Sequence, residues 1–144
     1  MNGITDNPKE KTGCPSLGCS AVQPQGKNAP AAGGLVYIIS AAAMGRGNDD
    51  LGWALLQTYL QTICKVKPLP TKMLFYNGGV RLVAEESGAL NVLRALQEQG
   101  VEILACGTCL DFFNLKAKIQ VGRISNMHEI MTAVAEADKV VSPF

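Results

Sequence analysis

The run Val101-Glu102-Ile103-Leu104-Ala105, leading without a break into Cys106-Gly107-Thr108-Cys109, constrains this fold more than any other stretch. It is apolar with little alternation, the pattern of a strand covered on both faces rather than one. Such strands lie inside parallel sheets, so helices are required above and below. The CxxC then falls where a strand ends and a helix begins. Helix N-termini carry partial positive charge and free N–H groups, which favour thiolate over thiol. The expectation is a small α/β domain with a reactive cysteine at the rim of its sheet.

At 144 residues one domain is expected. A hydrophobic share of 47% against 17% charged supplies enough material for one core. The net charge of +1 argues against bulk nucleic acid as a partner. No stretch approaches the ~20 apolar residues of a membrane span. The N-terminal residues have neither a basic n-region nor a long apolar h-region, so no signal peptide is read and a cytoplasmic location is expected. The cysteines are Cys14, Cys19, Cys64, Cys106 and Cys109. An odd number does not read as a disulfide framework. One CxxC, one C-x4-C and a lone His128 do not make a closed zinc site, so neither metal nor cofactor is expected. Residues 1–33 carry almost no large apolar side chains and read as a flexible tail; residues 34–144 form the domain.

From Leu35 strands and helices alternate. Leu35–Ser40 is the first strand. Asn48 caps a helix with Asp49 and Asp50 in its first turn, and Leu51, Leu55, Leu56, Tyr59, Leu60 and Ile63 form its apolar face. Pro68 and Pro70 end this unit. Lys72–Asn77 is the second strand, stopped by Gly78-Gly79. Val80–Glu86 reads as a short helix or an irregular crossing. Ala89–Gln99 is a helix with Leu90, Leu93 and Leu96 inward, closed by Gly100. After the third strand, Thr108 caps a short helix from Cys109, with Asp111 reaching back, and Asn114 closes it. Ile119–Ile124 holds the fourth strand. Asn126 and Glu129 form a capping box for a helix with Ile130, Val134 and Ala137 inward, and Lys139–Ser142 is the fifth strand. Repeated strand–helix–strand units imply a parallel sheet with helices on both faces.

In open parallel sheets ligands gather outside the carboxyl ends of the strands. Loops arriving there are Met44–Asn48, Asn77-Gly78-Gly79, Cys106-Gly107-Thr108 and Ser125-Asn126. The candidate anion- or substrate-binding residues are therefore Arg46, Asn48, Asn77, Gly78, Gly107, Thr108 and Asn126. Cys106 and Cys109 are the candidate catalytic residues. Gly45-Arg46-Gly47 fits neither the Walker A nor the dinucleotide fingerprint, since Asp50 stands where a third glycine would be.

Several segments together resemble the C-terminal domain of YedF-type selenium-metabolism proteins, in the DsrE/DsrF-like superfamily. They are Leu35–Ser40, Met44–Gly47, Asp49–Gly52, Leu74–Val80, Val101–Phe112 and Gly122–Met127. The likeness spans residues 34–143. It implies a three-layer α/β sandwich around a five-stranded parallel sheet, and a sulfurtransferase-like role in sulfur or selenium handling, as a carrier more than a fast-turnover enzyme. It implies a persulfide held on the cysteine after the third strand, here Cys106; Cys109 matches only the CGTC variant of the motif. It further implies homo-oligomers, and donor and acceptor proteins as partners, a TusA-like carrier among them. A preceding TusA-like domain with Cys-Pro-x-Pro is expected of YedF-type proteins. Cys14-Pro15-Ser16-Leu17 holds half of that motif, in a segment too short for the domain.

Three functions emerge as expectations. The first is a carrier in which Cys106 takes sulfur or selenium from a persulfide or selenide donor and passes it on. The second is a redox dithiol or sensor cycling at Cys106–Cys109. The third is a non-catalytic module whose rim holds a small anion.

Overall fold

A computed structural model describes residues 33–84 and 86–144. The expected tail, with Cys14 and Cys19, lies outside the described residues apart from Gly33. Five strands form one sheet: β1 (Leu35–Ile39), β2 (Lys72–Phe75), β3 (Glu102–Cys106), β4 (Arg123–Ser125) and β5 (Lys139–Val141). Their order is β4-β3-β2-β1-β5, and every pairing is parallel. The three-layer α/β architecture expected from the sequence is therefore the one observed. Ile103, Leu104, Ala105 and Cys106 of β3 are all buried, as the unbroken apolar run requires.

Among the described residues four α-helices pack on the sheet: α1 (Asp49–Ile63), α2 (Leu90–Glu98), α3 (Gly107–Phe112) and α4 (Met127–Ala135). No described helix is long and apolar enough to cross a membrane. Asn48 caps α1 by accepting the Leu51 N–H at 2.9 Å, and Asn126 caps α4 by accepting the Glu129 N–H at 2.9 Å. The inward face of α1 is narrower than its apolar periodicity suggests. Gly52, Leu56, Leu60 and Ile63 are buried, whereas Leu51 and Leu55 are exposed. On α4, Ile130 is buried as expected, but Ala133 takes the place expected for Val134, which is half-buried.

Strand and helix ends differ from the sequence reading in several places, and two differences bear on the site. α3 begins at Gly107, with Cys106 in the N-cap position and no capping side chain. Thr108 is thus inside the helix, and Asp111 pairs with Lys116 Nζ at 2.9 Å instead of reaching back. The fourth strand is shorter than Ile119–Ile124. Ile119 forms an antiparallel bridge with Ala84, and the Gln120 N–H donates to the Val83 carbonyl at 2.8 Å. Those residues pair with the Val83-Ala84 backbone instead of β3, so β4 starts only at Arg123.

The ambiguous segment after β2 is a 3₁₀ helix, Asn77–Val83. It crosses close over the end of β1. A Cβ on Gly79 would stand 2.0 Å from the Ile39 carbonyl oxygen, so only glycine permits the crossing. At the opposite edge Arg123 bridges Glu102 and Glu129, and the Ser125 hydroxyl donates to Glu129. Arg123, then Ser125, hold the Glu129 carboxyl at about 2, below its ordinary 4.5.

Gly79→Ala should lower stability by about 1–3 kcal/mol in urea unfolding, the usual cost of overpacking. The contacts of a Cβ at Gly78 are ordinary, at 3.7 Å and beyond. Gly78→Ala should accordingly stay within about 0.5 kcal/mol of wild type; equal midpoints for the two variants would contradict the crossing geometry. A carboxyl held low in the folded state stabilises fully above its unfolded pKa and loses that contribution as pH falls through the folded value. Stability should hold steady above about pH 5.5 and decline toward pH 2. Glu129→Gln should remove about 1 kcal/mol of that decline, the scale of a partly exposed pair.

Candidate functional site

The parallel register brings four strand ends level. Ile39 of β1 pairs with Phe75 of β2, Phe75 with Ala105 of β3, and Cys106 with Ser125 of β4. The segments just beyond these ends form the site. β2 runs into the 3₁₀ crossing, and β3 turns directly into α3 with no loop between them. That turn is tight: a Cβ on Gly107 would lie 3.1 Å from Ile124 Cγ2 and 3.2 Å from the Ser125 carbonyl oxygen. Leu110, fully buried, fixes the inner face of α3. One helical turn beyond Cys106, Cys109 comes out beside the start of the crossing. The Asn77 N–H donates to Cys109 Sγ at 3.1 Å. Asn77 adopts φ 47° to do so, in the left-handed region that asparagine tolerates.

The two thiols are neighbours with unequal access. Cys106 is 1% exposed, whereas Cys109 is part-exposed. The expected reachable thiol at Cys106 is thus a correction: the residue that ends a fully covered strand is itself covered. Burial raises the pKa of Cys109, the Asn77 N–H opposes that, and the adjacent Cys106 adds to the rise. The Cys109 thiol is therefore harder to ionise than a free cysteine's.

The other expected residues divide. Asn77 and Gly78 adjoin Cys109 directly. Gly107 is buried and shapes the turn, while Thr108 is exposed. The Asn48 and Asn126 side-chain oxygens are engaged in capping. Arg46 is exposed on the Met44–Asn48 loop and lines neither of two adjoining hollows that share Arg81 and Phe113. Among the described residues no cluster of three His, Cys, Asp or Glu side chains could hold a metal ion.

The first of these hollows is a cavity of about 420 Å³, lined by Trp53, Arg81, Glu86, Ser87, Phe113 and Leu115 among others. The second, a depression of about 510 Å³, shares Trp53, Arg81 and Phe113 and reaches Asp49 and Gly78. The Arg81 guanidinium lies 4.5 Å from the Phe113 ring centroid, stacked on its face. Sequence reasoning missed Arg81 because it sits in the segment whose conformation was ambiguous. The signal was present, a cation four residues after Asn77, but without the 3₁₀ geometry its direction was unknown.

The profile of the DsrE/DsrF-like family matches residues 24–143. The chain belongs to the DsrE/DsrF-like family. That family is connected in general with sulfur relay. Solved structures with a similar fold include the ychN protein from E. coli, at 19% identity and TM-score 0.56 over 76% of this chain and 98% of that one. MTH1491 from Methanobacterium thermoautotrophicum, a protein of unknown function, is similar at 16% identity and TM-score 0.56, over 77% of this chain and 99% of that one. BT1422 from Bacteroides thetaiotaomicron, also of unknown function, is similar at 18% and 0.52, over 76% and 93%. At these identities the likeness is one of fold. No curated protein matches significantly.

In the folded protein iodoacetamide should modify Cys109 before Cys106, with both modified equally after denaturation. The Cys109 rate should rise with pH along a curve displaced above that of free cysteine, because its thiol is raised. A curve displaced below free cysteine, or faster modification of Cys106, would contradict this arrangement of the thiols.

Proposed function

We propose that this DsrE/DsrF-like protein is a sulfur carrier working through its Cys106–Cys109 pair, with Cys109 as the receiving thiol. The supporting observation is the Asn77 N–H donating to the sulfur of the part-exposed Cys109, beside a second thiol at the carboxyl edge of a parallel sheet.

Cys109, on losing its proton, attacks the outer sulfur of a donor persulfide R–S–S–H. The donor S–S bond breaks, R–S⁻ leaves with the electron pair and takes up a proton, and Cys109–S–S–H forms with no net oxidation. An acceptor thiolate then attacks the terminal sulfur, and Cys109 leaves as thiolate with the Asn77 N–H stabilising it. A thiol of raised pKa is the more intrinsically nucleophilic one once deprotonated, and the slower leaving group. Both properties suit holding sulfur over releasing it. A perselenide R–S–Se–H would load selenium by the same displacement, which is how the YedF-like selenium role fits this site. If Cys106 instead attacks the inner sulfur, HS⁻ leaves and a Cys106–Cys109 disulfide forms, which an external dithiol must reduce. The adjacency of the thiols favours this redox cycle as a second reading.

Intact mass after brief exposure to a persulfide donor tests the proposal. Wild type and Cys106→Ser should gain one sulfur atom, and Cys109→Ser should gain none. No gain on wild type, or loss of loading in Cys106→Ser with retention in Cys109→Ser, would overturn it. A measured reduction potential with turnover of a disulfide substrate would favour the redox reading.

A further inference from the structure

The cavity beside the 3₁₀ crossing has an uneven charge arrangement that no step of sulfur transfer uses. Arg81 stands on one side, braced on Phe113 at 4.5 Å. Among the described residues no carboxylate lies within ion-pair distance of it. Glu86 lines the same cavity, and Asp49 the adjoining depression. Trp53, Phe113 and Leu115 supply apolar walls. A volume of about 420 Å³ falls in the range of small-molecule sites. A simple anion would meet Arg81 but be repelled by the acids. A simple cation would meet the reverse. A molecule carrying both charges satisfies each side.

We infer that this cavity binds the α-amino-acid head of a small thiol, with its carboxylate on Arg81 and its ammonium facing the Glu86 carboxylate. The inference rests on the carrier reading and names the chemical class of its donor or acceptor. The planar guanidinium suits a carboxylate by paired N–H donors. Stacking on Phe113 holds it in place before the ligand arrives, so less freedom is lost on binding. The depression runs from Arg81 to Gly78, the neighbour of Asn77. Phe113 in turn donates its N–H to the Cys109 carbonyl at 3.1 Å. The head group is thereby seated on the elements that position the receiving sulfur, and the ligand's sulfur end points along Gly78 toward it. Cysteine and glutathione both carry this head, free in the one and as the γ-glutamyl end in the other.

Trp53 is the sole tryptophan of the chain and lines the cavity, so its fluorescence reports occupancy. Wild type should be titrated at neutral pH with S-methylcysteine and with S-methylglutathione, whose blocked sulfur cannot exchange. A saturable change with either supports the inference, and the tighter of the two identifies the natural source. Arg81→Gln should weaken binding about tenfold or more, as loss of a charge-assisted pair does. Glu86→Gln should weaken the amino acids but not 3-(methylthio)propanoate, which lacks the ammonium. Both side chains are exposed, so neither variant threatens the fold. Cys109→Ser should bind as wild type does, so a failed sulfur-loading experiment and a failed binding experiment remain distinct. No saturable change with either probe would overturn the inference. So would an unaltered affinity in Arg81→Gln, or equal affinity for the propanoate in wild type.

Discussion

The structure depends on the absence of a side chain at Gly79. With nothing larger than hydrogen there, the 3₁₀ crossing after β2 lies against the last carbonyl of β1. Interiors are close-packed and give little, so a displaced crossing cannot be absorbed locally. The same seven residues supply the Asn77 N–H, the Gly78 wall and Arg81. The thiol contact and the neighbouring cavity are thus two consequences of one backbone approach.

That approach sets up a division between the cysteines. Cys106 ends a strand covered on both faces and inherits its burial. Cys109 is three residues on, one turn of α3, which carries it out to the crossing. Burial acts on the charge of Cys109 more strongly than the single N–H does. The result is a part-exposed thiol that is harder to ionise than a free one. Such a thiol resists adventitious oxidation, since oxidation follows thiolate character and exposure.

Much of the architecture was legible because it follows local rules. The apolar run of β3 specified a doubly covered strand, and Asn48 and Asn126 announced α1 and α4 through capping that the structure reproduces. Elements governed by contacts distant in sequence were not legible. Ile119 carries the marks of a strand, yet it bridges to Ala84 and is lost to β4. Leu51 and Leu55 fit the helical period, but Gly52 packs against the Met44 carbonyl, a Cβ there standing 2.9 Å away, and this turns the inward face of α1 away from them. At the site, the thiol pair and Asn77 could be read from position alone. Which thiol is reachable could not, because exposure is a property of packing. Arg46 drew attention through its glycine-rich loop, whereas Arg81, on the crossing, is the cation that lines the cavity.

The most direct measurement is fragment-ion localisation of the added sulfur in the otherwise unaltered protein, quenched soon after a persulfide donor is supplied. The account predicts the extra sulfur on Cys109. Finding it on Cys106, with Cys109 a free thiol, would contradict the division of roles on which the account rests.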